Sequence, residues 1–187
     1  EAATEAFGEE LRSFLSQKTG ETHNRIWLLK TMEPHFSTVI GTWHQSKPYL
    51  VCTDSLGIDN GGGHASILLA TIKQALPTFP LEQTLFIGQK RQTDTFSCGL
   101  ISFHDCTFLH EQPRVIEDLL SLKTFGYLSL INTPASLKGA TEIQLPPPAM
   151  MEVVISVTLF NKYLGHFRDF YASQKASTAT FSAAYSK

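Results

Sequence analysis

The spacing of apolar positions divides the chain into helical and extended segments. Between Glu5 and Gln17, Phe7, Leu11, Phe14 and Leu15 recur at helical spacing, with Glu5 at the start and Gly20 beyond the end. This predicts an amphipathic helix. The period then shortens: Arg25–Thr31, Phe36–Thr42 and Tyr49–Thr53 are β-branched and aromatic runs, broken by Pro34 and by the polar stretch His44–Pro48. They predict three strands. Ile58–Gly63 reads as a turn-rich loop. Ala65–Leu76 reads as a helix with Ile67, Leu68, Leu69, Ile72 and Leu76 inward, stopped by Pro77. A short strand is expected at Thr84–Gly88, then a loop over Gln89–Ser97. A largely apolar central helix follows over Cys98–Leu109, and Pro113 opens a shorter one through Leu122. The Pro146-Pro147-Pro148 run marks a stiff break. Beyond it, Val153, Val154, Val157, Phe160, Leu164, Phe167 and Tyr171 form the stripe of a long helix over Met150–Tyr171, and Ala172–Lys187 reads as a loosely held tail. No internal repeat is visible. The order of elements predicts an α+β domain with one sheet and a helix against it.

Composition narrows the possibilities. The 187 residues suit one domain with a real core, and 13 Phe with 42% hydrophobic residues exclude a largely disordered chain. A formal net charge of −2 argues against general nucleic-acid binding, which calls for a surplus of Lys and Arg. The most apolar stretches, such as Met150–Phe160 with Glu152 inside it, fall short of a membrane span. No secretory leader is expected. Three Cys cannot all pair, so thiols in a reducing, intracellular setting are expected.

The candidate chemistry centres on Cys98, in Asp94-Thr95-Phe96-Ser97-Cys98-Gly99-Leu100, where a polar loop gives way to a helix. A thiol at a helix N-terminus feels the positive end of the dipole, which lowers its pKa. Gly99 would let a substrate carbonyl approach backbone N–H groups able to stabilise an oxyanion. The same heptapeptide also fits a buried structural Cys followed by a helix-start glycine.

A nucleophilic thiol needs a base and the base needs orienting. If the second and third strands form a hairpin turning at His44 and Gln45, His35 lies opposite Asp54, Ser37 opposite Cys52 and Val39 opposite Leu50. A slip of one residue would destroy this pairing. His44 and His64 read as solvated turn residues. His104, Cys106 and His110 lack the spacing of a metal site, and Gly61-Gly62-Gly63 lacks the Lys-Ser/Thr of a phosphate loop, so neither metal nor cofactor is expected. Met150 and Met151 read as core.

These residues assemble into a family resemblance. His35-Phe36-Ser37-Thr38-Val39-Ile40, Tyr49 through Gly57 with Asp54-Ser55-Leu56, and Gln92 through Gly99 resemble, in order and spacing, three motifs of the Ulp/sentrin-specific proteases. These are clan CE cysteine peptidases that process SUMO-type ubiquitin-like proteins. The third motif is especially similar to fungal Ulp-like proteins. The resemblance covers residues 25 to 122. It implies the papain-like cysteine protease fold of the Ulp/adenain type: a central mixed sheet with the nucleophile at the N-terminus of a central helix. A catalytic domain over 1–145 and a Pro break, helix and tail over 146–187 follow. It also implies Cys98 as nucleophile, His35 as general base, Asp54 as orienting acid and Gln92 as an oxyanion donor. Phe36, in place of the usual Trp, would help wall the Gly-Gly binding tunnel, and Ser97, where many relatives have Asp, would be a further substrate-binding residue. The implied partner is SUMO or a related modifier and its conjugates, cleaved after Gly-Gly in the nucleus or cytoplasm, with no membrane involved. Only 34 residues precede His35, and the upstream Trp-Leu-x-Asp motif of relatives is missing. Two alternatives are a YopJ-type acetyltransferase and a catalytically weak or dead module that binds a ubiquitin-like protein. YopJ-type effectors usually carry Glu as the acid and bind an inositol phosphate through basic residues; Asp54 and the low Lys/Arg count favour the peptidase.

Overall fold

The computed structural model describes residues 2–17, 24–32, 35–57, 63–88, 90–94, 96–124, 129–130, 139–143, 150, 161 and 164–165. The long helix expected over Met150–Tyr171 and the tail after it lie largely outside the described residues, as does the Pro146–Pro148 break. Helix α1 (Ala2–Ser16) precedes strands β1 (Arg25–Met32), β2 (His35–His44) and β3 (Lys47–Asp54). Helix α2 (Gly63–Ala75), a 3-10 turn at Leu81–Gln83 and strand β4 (Thr84–Ile87) follow. Then come helices α3 (Cys98–Glu111) and α4 (Pro113–Thr124) and the short strands β5 (Ser129–Leu130) and β6 (Thr141–Ile143). The last two were not foreseen: runs this short carry too little alternation to be read as strands.

The strands form one mixed sheet in the order β1-β2-β3-β4-β6-β5. The three leading strands are antiparallel, β4 runs parallel to both β3 and β6, and β5 is antiparallel to β6. A parallel neighbour requires a crossover, and α2 supplies the one from β3 to β4.

Strand alternation divides the core in two. Val39, Leu50, Cys52 and Phe86 point to one face, where they meet Phe7, Leu11 and Phe14 of α1 and Leu68, Leu69 and Ile72 of α2. Their immediate neighbours Ile40, Val51, Leu85 and Ile87 point to the other, against Leu109 of α3, Ile116, Leu119 and Leu120 of α4, and Met150. Helices therefore cover both faces, a three-layer arrangement rather than a sheet with helix on one side. The physical reason lies in the strands themselves: Ile40, Val51 and Leu85 are as apolar as the residues beside them, and both faces demand cover. The Cβ of any residue replacing Gly41 would come within 2.8 Å of the Phe14 ring, so this glycine sets how closely α1 approaches the sheet.

The β2–β3 hairpin closes at His44↔Lys47 through a two-residue turn. Gln45 and Ser46 both have positive φ, 50° and 62°. That is the primed geometry a tight hairpin prefers, built from residues that adopt it reluctantly. Gln45→Asn combined with Ser46→Gly should raise the unfolding free energy by about 0.5–2 kcal/mol, measured by urea denaturation; a loss of stability would mean that the turn has another geometry.

Candidate active site

The turn fixes where His35 and Asp54 meet. Pairing runs Ser37↔Asp54, Val39↔Cys52 and Gly41↔Leu50, two residues away from the register expected from a turn at His44 and Gln45. The loop comprises Gln45 and Ser46, one position further along. A slip of two preserves the faces, because side chains alternate with period two. His35 therefore stays on the side of Asp54 and reaches it diagonally. Its Nε2 lies 2.8 Å from Asp54 Oδ2, with both residues buried.

Asp54 is held from three directions. Oδ2 also accepts from Ser37 Oγ at 2.7 Å, and Oδ1 accepts from the Leu56 backbone N–H at 2.9 Å. Ser37 owes this role to the true register; opposite Cys52 it would have been one more core residue. Facing an ionised carboxylate, which can only accept, Nε2 of His35 would carry the shared proton, and that tautomer leaves the ring's lone pair on Nδ1. That tautomer suits a general base.

Cys98 is buried and occupies the first position of α3, after Ser97. α3 is keyed to the strand bearing His35: Ser102 Oγ donates to the carbonyl of Phe36 at 3.0 Å, and Thr38 Oγ1 donates to the carbonyl of Ser102 at 3.1 Å. The Phe36 ring lies over Gly99, where a Cβ would sit 3.6 Å from it. Phe36 thus borders the first turn of α3, which begins at Cys98.

Gln92 and Ser97 are wired into the loop before the helix. The Gln92 Oε1 accepts from Ser55 Oγ, and its Nε2 donates to Asp94 at the backbone carbonyl (2.8 Å) and at Oδ1 (3.1 Å). In this conformation its amide hydrogens face Asp94, and donation to an oxyanion would require them to turn. Ser97 donates to Asp94 through its N–H (2.8 Å) and its hydroxyl (2.6 Å), and Phe96 N–H donates to the same carboxylate at 3.0 Å. These bonds, the Ser97 hydroxyl foremost, hold the Asp94 carboxyl below its ordinary range.

Two residues that sequence reasoning passed over hold this ensemble together. Arg91, fully buried, grips Asp105 of α3 with both guanidinium arms, Nη2 to Oδ2 at 2.6 Å. Thr53 Oγ1, beside Asp54, donates to the same Oδ2 at 2.6 Å. Burial alone would raise the Asp105 pKa. The Arg91 charge, the bonds from Arg91 and Thr53 and the nearby His104 ring outweigh it and hold the carboxyl below its ordinary value. The available signal was an acidic residue inside an apolar helix, which demands a buried partner.

His64 also departs from expectation. It is not a solvated turn residue but lies in the first turn of α2, half-buried, with its ring centred 4.3 Å from that of His35. His104, Cys106 and His110 are not gathered: among the described residues, the one cluster of three metal-capable side chains is His35, Asp54 and His64. No cysteine is in a disulfide. Burial pushes the Cys52 thiol far above its usual value. Burial also raises Cys106, with a bond from Thr38 opposing and the Asp105 charge adding to the rise.

Iodoacetamide should therefore modify Cys98 first, Cys106 more slowly and Cys52 only on unfolding, as read by peptide mass. His35→Ala should remove the lead of Cys98; equal rates for all three thiols would contradict a primed pair. Asp105→Ala strands a buried guanidinium and should lower stability by about 3–5 kcal/mol, while Arg91→Met with Asp105→Leu should lose less. Because the folded Asp105 pKa lies below the unfolded value of about 3.9, the pair's contribution is complete above that pH. It fades as pH falls through the lower, folded value, and acid titration of unfolding should show the loss in the wild type and not in the double variant.

No family model and no curated protein matches the chain. Solved structures do. HopZ1a in complex with IP6 superposes with a TM-score of 0.61 at 13% identity, over 84% of this chain and 59% of that one. HopZ1a with IP6 and CoA gives 0.59 at 14% identity, over 84% and 56%. AvrA delL154 with IP6 and CoA gives 0.62 at 12% identity, over 91% and 62%. The chain thus spans less than two thirds of each. HopZ1a and AvrA are YopJ-family effectors, and the shared architecture is the papain-like fold of clan CE, to which the Ulp proteases also belong. Among the described residues, no helix is long and apolar enough to cross a membrane.

Proposed function

We propose that this chain is a thiol acyltransferase that passes an acetyl group from CoA to a protein or peptide acceptor through a thioester on Cys98. The observation that supports the reading is the buried His35–Asp54 pair, on a sheet to which Ser102 and Thr38 bind the helix that begins at Cys98, in a fold whose solved counterparts hold CoA. This reverses the order that the sequence motifs suggest, where Gly-Gly hydrolysis comes first.

The chemistry follows from the residues. His35 takes the thiol proton at Nδ1, and the Cys98 thiolate attacks the thioester carbonyl of acetyl-CoA. The carbon–sulfur bond to CoA breaks, the leaving thiolate takes the proton from His35, and acetyl-Cys98 remains. An acceptor hydroxyl or amine then attacks that carbonyl, His35 takes its proton, and the Cys98 sulfur departs and is reprotonated. Asp54 keeps the ring in the tautomer that both halves need and stabilises the imidazolium between them. Backbone N–H groups of the first turn of α3 are the nearest donors of fixed direction for the oxyanion. Exposed Phe96, Leu100 and Phe103 offer an apolar rim beside the nucleophile for the donor or acceptor.

A second reading is favoured by the bond of Ser55 to Gln92, which joins two of the Ulp-like motifs physically. In it, the acyl group is the C-terminal Gly of SUMO or a related modifier, the acceptor is water, and Phe36 and Ser97 border the Gly-Gly passage. The two readings share every step but the donor and acceptor. Incubation with acetyl-CoA should add one acetyl mass, labile to hydroxylamine, on the peptide holding Cys98, and Cys98→Ala should abolish it. Cys98-dependent release from a C-terminal amide of SUMO or ubiquitin, without acetyl labelling, would overturn the acyltransferase in favour of the hydrolase.

A further inference from the structure

His64 gives the His35–Asp54 pair a third ligand. We propose that His35, Asp54 and His64 form a binding site for a divalent cation of the zinc class, and that its occupation holds the active site off. The binding stands on the geometry alone; the inhibitory consequence rests on the acyl-transfer reading.

The donor set is two imidazoles and a carboxylate, one ligand atom of each lying within 4.8 Å of the others. Zinc takes both donor types at about 2.0–2.2 Å, which sets neighbouring ligand atoms of a tetrahedral ion about 3.3 Å apart. The cluster must therefore close by no more than a side-chain swing, which the half-buried His64 in the first turn of α2 would make. The other two are fixed. Asp54 is oriented by Ser37 Oγ and the Leu56 N–H, the outer support that carboxylate ligands ordinarily have.

His64 also lacks an occupation of its own. Its Nδ1 is shut off from solvent and has no hydrogen-bond partner among the described residues, although a ring nitrogen so placed ordinarily finds one. The ring leans over His35 at an interplanar angle of 47°, so its contact is with the catalytic base itself. A cation bound there disables that base by either nitrogen. At Nε2 it displaces the proton that ties the ring to Asp54; at Nδ1 it takes the lone pair that deprotonates the thiol.

The test uses the full chain as the Cys98→Ala variant, so that neither turnover nor the nucleophilic thiol enters the result. Zinc ions are titrated against a chromogenic chelator, and cobalt ions serve as a spectroscopic probe. One equivalent of zinc should bind. His64→Ala should weaken it by about tenfold or more, a ligand counting for at least as much as its outer-shell support, and His35→Ala should do the same. Cobalt should show ligand-field bands without sulfur-to-cobalt charge transfer. Equal zinc affinity in the His64→Ala background, or a charge-transfer band from Cys52 or Cys106, would overturn the site. If zinc binds as described while acetyl-CoA fails to label wild-type Cys98, the site stands and the acyl-transfer reading falls.

Discussion

The buried Arg91–Asp105 pair is the constraint on which the candidate site depends. It joins three pieces of chain that no helix or sheet ladder would hold in register: the loop before α3, the body of α3, and, through Thr53, the end of β3. Each carries one of the candidate residues. The loop carries Gln92, the helix begins at Cys98, and Thr53 is followed by Asp54. Backbone bonds from Arg91 and Gln92 to the carbonyl of Ser55 complete the tie, at 2.8 and 2.9 Å. A buried ion pair is a weak source of net stability compared with an apolar pair of the same volume. Its value here is directional, because a bidentate guanidinium–carboxylate contact admits one orientation and an apolar contact admits many.

The His35–Asp54 pair shows a different sort of robustness. The hairpin register differs by two residues from the one that the turn sequence suggests, yet the contact survives. Parity protects it, since any even slip returns His35 to the face of Asp54 and any odd slip removes it. What the two-residue difference changes is the identity of the neighbours. Ser37 moves from the core to the carboxylate, and Cys52 comes to face Val39. A base thus positioned by strand parity and a carboxylate held by three donors need little from the rest of the sheet.

Much of this was legible in the chain, and the reasons differ from element to element. Helices α1, α2 and α3 and the first four strands announce themselves by periodicity, and their ends fall within a few residues of expectation. The mixed sheet and a helix that begins at Cys98 followed from the family resemblance, and the fold agrees with them. Three things did not follow. The second helical layer was hidden because Ile40, Val51 and Leu85 give no polar face to read. Strands β5 and β6 are too short to have a period. Arg91 and His64 act through partners distant in sequence, Asp105 and His35, and no local pattern marks a long-range partner. Ligand identity was equally out of reach of local pattern, since a Cys-His-Asp set serves any acyl group.

The hydrogen bonds of residues 91–94 and 96–97 set what lies ahead of the first turn of α3. Asp94 could have capped α3 directly, placing a negative charge on the first-turn N–H groups and opposing a thiolate there. Its carboxylate instead accepts from Phe96 N–H, Ser97 N–H and the Ser97 hydroxyl, all of them ahead of the helix. Ser97, though it stands at the capping position, makes no side-chain bond to the helix, because its hydroxyl serves Asp94. The first-turn N–H groups of α3 thus receive no side-chain cap from Ser97. The same wiring restrains Gln92, whose amide is held by Asp94 and Ser55, so that its Nε2 can reach another acceptor only by giving up these bonds.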